Sequence, residues 1–109
     1  MSYQHQNLAA GGWEKLSLAE QLGNIGSEVG RAARAQGKNN EDFKNAVDRA
    51  LELFDLTIEN PPWKNRLIEI ERTREVFCDA VAGGKEYGDS LRSLENYFMQ
   101  FAFLARNKK

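Results

Sequence analysis

The fold is decided by residues 43–81, which read FKNAVDRALELFDLTIENPPWKNRLIEIERTREVFCDAV. As far as Glu59, a step of about 100° per residue gathers the mostly apolar side chains into an arc of roughly 160°. An arc this wide predicts a helix that packs against two neighbours. Pro61 and Pro62 then end this helix and start the next, because a proline lacks the N–H that the first turn of a helix can spare. The arc contains Phe43, Ala46, Val47, Ala50, Leu51, Leu53, Phe54, Thr57 and Ile58.

Arg74 lies near the centre of the apolar arc on the second helix of this stretch, flanked by Ile70 and Phe77. A charge in such a position must find a partner, because burying an unpaired charge is costly. We therefore expect Arg74 to be largely buried and bonded to a carboxylate. The candidate partners are Glu28, on the flank of the first helix, and Glu71, one turn back. Anchoring of an anionic ligand by Arg74 is the functional alternative.

Cap and stop signals place two further helices, one on each side of this stretch. Ser17 and Glu20 fit a capping box, in which each side chain accepts a hydrogen bond from the other residue's backbone N–H. Gly37 and Gly83 are the predicted stops. Short links make consecutive helices antiparallel, so the predicted fold is all-α, an antiparallel up-down four-helix bundle over residues 13–109. The predicted helices are Ser17–Gln36, Glu41–Glu59, Pro61–Ala82 and Ser90–Arg106.

Residues 1–12 are predicted to form a flexible N-terminal tail. The segment is polar, ends in two glycines and shows no apolar period, so it has little to bury. Trp13 follows directly, and we expect it to fold back onto the edge of the bundle.

A stripe of small residues runs along the first helix beside its apolar stripe. Gly23, Gly26 and Gly30 recur there at steps of three and four residues. A glycine inside a helix costs about 1 kcal/mol relative to alanine, so this face needs a compensating contact. Close backbone approach by another helix is one explanation, and the floor of a groove for a ligand or a partner helix is the other.

The composition limits the class of protein. A chain of 109 residues makes one domain, and its net charge of -1 gives no bulk attraction to nucleic acid or to an anionic membrane. No apolar run reaches the roughly 20 residues that span a bilayer, and the first residues do not have the pattern of a secretory signal. A single cysteine, Cys78, agrees with a reducing compartment. We therefore expect a cytoplasmic protein.

No set of residues forms a catalytic or metal-binding pattern. A di-iron or di-manganese bundle needs Glu-x-x-His pairs on two helices, whereas the single histidine, His5, lies in the predicted tail. Cys78 lies on an apolar arc without a histidine to activate it, so we expect a buried small side chain. The Ser and Thr hydroxyls have no identifiable base. We therefore expect no metal, no cofactor and no enzymatic activity.

Apolar side chains that the four-helix core does not need predict self-association, or the binding of a helix from a partner protein. Met99 and Phe103 lie one turn apart outside the buried arc of the last helix, which suggests a continuous patch. A two-fold dimer through that helix is the simplest arrangement. The alternative is that both side chains fold over the loop at Gly83–Gly88. The other interface candidates, on the outward sides of the central helices, are Leu56, Ile68 and Val76.

A resemblance adds a second hypothesis. The runs IGSEVGRA (25–32), ALELFDLTI (50–58), RTREVFCD (72–79) and YFMQFA (97–102) resemble a small family of uncharacterised prokaryotic helical proteins, which implies no particular activity. More distantly, the chain is similar to the four-helix-bundle proteins of ribosomal intervening sequences and to the accessory protein of diversity-generating retroelements. That similarity implies oligomerisation and nucleic-acid binding through a basic surface. Protein interaction is favoured over nucleic-acid binding because the bulk charge is absent. The candidate basic residues are Arg31, Arg34, Lys38, Lys64 and Arg66.

Overall fold

The computed structural model describes residues 12–59 and 64–107, and within these ranges the protein contains helices and turns but no strand. The predicted all-α fold is confirmed. The four α-helices are α1 (Leu18–Ala35), α2 (Asn40–Glu59), α3 (Leu67–Val81) and α4 (Leu91–Asn107). Two 3-10 turns precede α1 and α3, namely η1 (Trp13–Lys15) and η2 (Lys64–Arg66). The predicted tail, apart from Gly12, and the Pro61-Pro62 corner lie outside the described residues.

The ends of α1, α2 and α4 agree with the predicted ends to within one residue. The Ser17 hydroxyl accepts a hydrogen bond from the Glu20 N–H at 3.1 Å, and the Glu20 carboxylate accepts from the Ser17 N–H at 2.9 Å, so the predicted capping box is present. The third helix starts later than predicted. It begins at Leu67 because the tighter turn η2 occupies the three residues before it.

The helices form an antiparallel bundle in which each helix packs on the next one in sequence and α4 returns to α1. The closest packing is that of α1 on α2 and on α4. Phe54, Phe77 and Phe98 bring α2, α3 and α4 together in the centre, with ring centroids 5.8 Å apart for Phe54 and Phe77 and 6.0 Å apart for Phe54 and Phe98. Ile25 and Val29 of α1 are fully buried in the same cluster, so one core serves all four helices.

Trp13 belongs to this core rather than to the edge of the bundle, where the sequence placed it. Its side chain is fully buried, and its indole Nε1–H donates to the Thr57 hydroxyl at 2.9 Å. The Gln21 amide donates to the Trp13 carbonyl at 3.0 Å and so holds η1 against the start of α1. Thr57 therefore occupies the apolar arc of α2 because it receives the indole.

Leu56 corrects a second expectation. It was predicted to face outward, but only 3% of it is exposed and it belongs to the core cluster. Trp13, which bonds to the neighbouring Thr57, belongs to the same cluster, so the core at this end of α2 includes a segment that the four predicted helices do not. Val76 is likewise half-buried and packs against the core.

Candidate functional site

The glycine face of α1 is a tight packing seam against α4. A β-carbon added to Gly23 would lie 3.3 Å from the Ala102 Cα atom, and one added to Gly26 would overlap the Phe98 Cβ atom. One turn further, Gly30 faces the Glu95 carboxylate. The numbers rise along α1 as they fall along α4, so the two helices are antiparallel and approach at backbone distance. Of the two explanations for the stripe, close helix packing describes this geometry.

Beside this seam, α4 also carries apolar side chains that face solvent. Phe103 is 59% exposed and Met99 is 50% exposed, and these two side chains, one helical turn apart, are called the α4 surface below. Leu104 is also exposed, at the flank that turns toward α3. The run from Asn96 to Ala105, NYFMQFAFLA, contains no charged residue. An exposed apolar pair within an uncharged run, on a protein with 28% charged residues, is typical of an interface.

A small cleft adjoins the α4 surface where α4 crosses the glycine seam. Its volume is about 140 Å³, and its lining includes Gly23 and Ser27 from α1 with Glu95, Met99 and Ala102 from α4. Met99 belongs both to this lining and to the α4 surface. Apolar surface and cleft therefore form one continuous feature on the α1 side of α4.

The remaining exposed interface candidate lies elsewhere. Ile68 is 77% exposed, but it belongs to the first turn of α3 and is flanked in sequence by Glu69. The structure thus separates the predicted apolar set into the α4 surface, the isolated Ile68, and two residues, Leu56 and Val76, that contribute to the core.

The predicted buried ion pair of Arg74 is also corrected. Arg74 bonds to Asp55 of α2, with 3.0 Å between Nε and Oδ1, and the two side chains are 34% and 45% exposed. The long arginine stem lets the guanidinium reach from the apolar arc to the edge of α2. Glu28 is buried but pairs with Arg31 on its own helix at 3.1 Å, and Glu71 is exposed. Cys78, expected to be buried, is half-buried beside Arg74, with Sγ 3.9 Å from Nη1.

A cationic cleft of about 440 Å³ opens between α1 and α2, close to the turn that joins them. We define it by Arg31, Arg34 and Lys38 from α1 and its C-terminal end and by Arg49 from α2, with Asp42 as the carboxylate in its wall. The first three were predicted as basic candidates. Arg49 was missed, although the register of a short antiparallel hairpin places it beside the last turns of α1.

The predicted basic residues do not form one continuous surface. Arg66 lies in η2, beyond the far end of α2, whose 20 residues span roughly 30 Å. It is bonded there to Glu69, with 3.0 Å between Nε and Oε2. The side chain of Lys64 lies outside the described part of the chain. The cationic cleft is therefore a compact feature of one end of the bundle.

Glu69 forms a small polar network at the other end. Hydrogen bonding to Arg66 lowers the pKa of Glu69, and the Tyr97 hydroxyl donates to the same carboxylate at 3.2 Å. Burial, followed by the nearby Glu69 charge, raises the pKa of Tyr97. These contacts tie η2, α3 and α4 together. Among the described residues, no group of three or more His, Cys, Asp or Glu side chains is arranged to hold a metal ion.

Comparisons with family models, with curated proteins and with solved structures find no match to this chain. No helix in the described ranges has the length and apolar character needed to cross a bilayer.

Proposed function

We propose that the protein is a non-enzymatic helical interaction module that self-associates through the α4 surface. The observation that carries the proposal is the exposure of Met99 and Phe103 within a ten-residue run that has no charge. The inner face of α4 is already satisfied by the seam with α1 and by the aromatic centre. The outer face is therefore apolar surface beyond what the fold itself needs.

A second copy of the chain fits this surface because the surface is self-complementary. A two-fold axis that crosses the α4 surface midway between Met99 and Phe103 would set two α4 helices antiparallel, with Met99 of one copy opposite Phe103 of the other. Because the run from Asn96 to Ala105 has no charge, association brings no like charges together there and is not opposed by electrostatic repulsion. The small cleft beside Met99 provides a concave site next to the convex Phe103 side chain, which is the arrangement of a side chain packing into a hole on the facing helix.

The experiment is sedimentation analysis at several protein concentrations. We expect a reversible dimer whose dissociation constant rises at least about thirtyfold in the Phe103→Glu variant, because a central aromatic contact is worth ~2 kcal/mol and the dimer would bring two carboxylates together. Circular dichroism should show that the variant remains helical, since Phe103 is exposed.

Ile68→Glu is the matched control, because it makes the same kind of change at an exposed apolar position on α3. It should leave the dissociation constant within about a factor of two. A wild-type chain that stays monomeric at high concentration would refute the proposal, and so would an equal loss of association in both variants.

A further inference from the structure

The cationic cleft is built from two helices that meet at a tight turn. Arg31 and Arg34, three residues apart, share one face of the last turns of α1, and Lys38 joins them in the lining from the turn that follows the helix. Arg49 faces them from α2 across the cleft, and the turn that joins the helices passes through Gly37, whose φ is +76°. The wall thus has cationic groups on both sides of a space of about 440 Å³.

The arginines on α1 are held in place by carboxylates outside the cleft. Arg31 uses Nη1 to bond both oxygens of the buried Glu28, and Arg34 uses Nη1 to bond Glu95 of α4 at 3.2 Å. A guanidinium carries five N–H donors in a planar fork, so an ion pair through one nitrogen fixes the fork and leaves further donors for a ligand. The lining of the cleft contains four cations and one carboxylate, and Arg31 and Arg34 each share their charge with a carboxylate outside it.

We infer that the cationic cleft binds a small polyanion that carries phosphate groups, such as a pyrophosphate-bearing molecule. A ligand with a single charge would compete poorly with Glu28 and Glu95, but one with several charges can engage both helices at once through charge-assisted hydrogen bonds. The volume falls within the usual range of small-ligand sites, about 300–1,000 Å³. A long nucleic-acid track is disfavoured, because the basic residues do not continue along the bundle and Arg66, at its other end, is paired with Glu69.

Isothermal titration of the full chain with pyrophosphate at low ionic strength tests the inference. We expect one site per chain, and we expect Lys38→Gln to weaken binding about tenfold through the loss of one charged contact. Arg49→Gln should weaken it by a similar factor. Lys44→Gln, which removes the same charge from the opposite face of α2, should change the affinity less than twofold, and Phe103→Glu should bind as the wild type does.

Three outcomes would overturn the inference. They are no heat of binding at millimolar pyrophosphate, an equal loss of affinity in the Lys44 and Lys38 variants, and binding of single-stranded oligothymidylate that pyrophosphate does not displace. Oligothymidylate that is displaced by pyrophosphate, and whose binding is weakened by Lys38→Gln, would support a phosphate site that can also accept a nucleic-acid backbone.

Discussion

Helices α1 and α3 both pack against α2 and α4, but they do so by different means. On α1, Gly23 and Gly26 allow the backbone of α4 to approach until Cβ atoms would overlap. On α3, contact is made by long side chains, with Arg74 reaching Asp55 of α2 and Tyr97 of α4 reaching Glu69. This difference favours the α1 side of α4 as the place where an additional helix docks. The α1 side of α4 is shaped by small residues and carries no charge from Asn96 to Ala105, after Glu95, which pairs with Arg34, whereas the α3 side is bordered by charges.

The end of the bundle where η1 meets α1 and α2 should be the most sensitive to mutation. Trp13→Ala removes a fully buried indole, so we expect a loss of about 3–5 kcal/mol in the free energy of unfolding, measured by urea denaturation. Thr57→Val keeps the shape but leaves the indole N–H unpaired, and it should cost about 1–3 kcal/mol. A change near zero for Trp13→Ala would show that η1 does not belong to the core.

Alanine substitutions at the two glycines of the seam between α1 and α4 should differ in their effect on stability. Gly26→Ala places a methyl group on Phe98, and we expect this overpacking to lower the free energy of unfolding by about 1–3 kcal/mol. The better helix propensity of alanine offsets up to about 1 kcal/mol of that loss. Gly23→Ala meets the Ala102 Cα atom at 3.3 Å, which requires a shift of only a few tenths of an ångström, so we expect it to cost less than Gly26→Ala. Equal stability changes in thermal or urea unfolding would contradict the close approach.

On the α3 side, loss of the ion pair between Arg74 and Asp55 should have little effect on the free energy of unfolding. Because the Arg74 and Asp55 side chains are both about a third or more exposed, Arg74→Ala should cost less than about 1 kcal/mol. A buried pair would cost about 3–5 kcal/mol instead. A double-mutant cycle with Asp55→Asn separates the two cases, since it measures the coupling between the side chains rather than the loss of packing by the arginine stem.

The pH dependence of stability should report the contact between Tyr97 and Glu69. Since the folded-state pKa of Tyr97 is raised, its contribution is complete below the unfolded pKa of about 10 and is lost as pH rises through the higher folded value. The lowered pKa of Glu69 has the opposite sense, so its contribution is lost as pH falls below the ordinary range of a glutamate. Both groups are partly exposed, so each effect should be a few tenths of a kcal/mol. Tyr97→Phe should flatten the alkaline limb of the stability curve and leave the fold intact.

Periodicity and cap chemistry predicted the four helices, the glycine stripe and the exposure of Met99 and Phe103. A helical wheel describes the direction of a side chain around one helix, and it does not say which neighbour lies at the same height. The wheel therefore predicts Glu28 or Glu71 as the ion-pair partner of Arg74, whereas the guanidinium bonds to Asp55. Leu56 was assigned to the surface because nothing in the pattern indicated that Trp13 would fold against Thr57. The cationic cleft likewise depends on Arg49, which only the hairpin register brings to Arg31 and Arg34.

Self-association through α4 can be tested most directly by following backbone amide resonances in a dilution series of the wild-type chain. We expect concentration-dependent shifts in α4 around Met99 and Phe103 and in α1 around Gly23 and Ser27, with α3 unchanged. Spectra that do not change with dilution, or shifts centred on Ile68 and the start of α3, would contradict it.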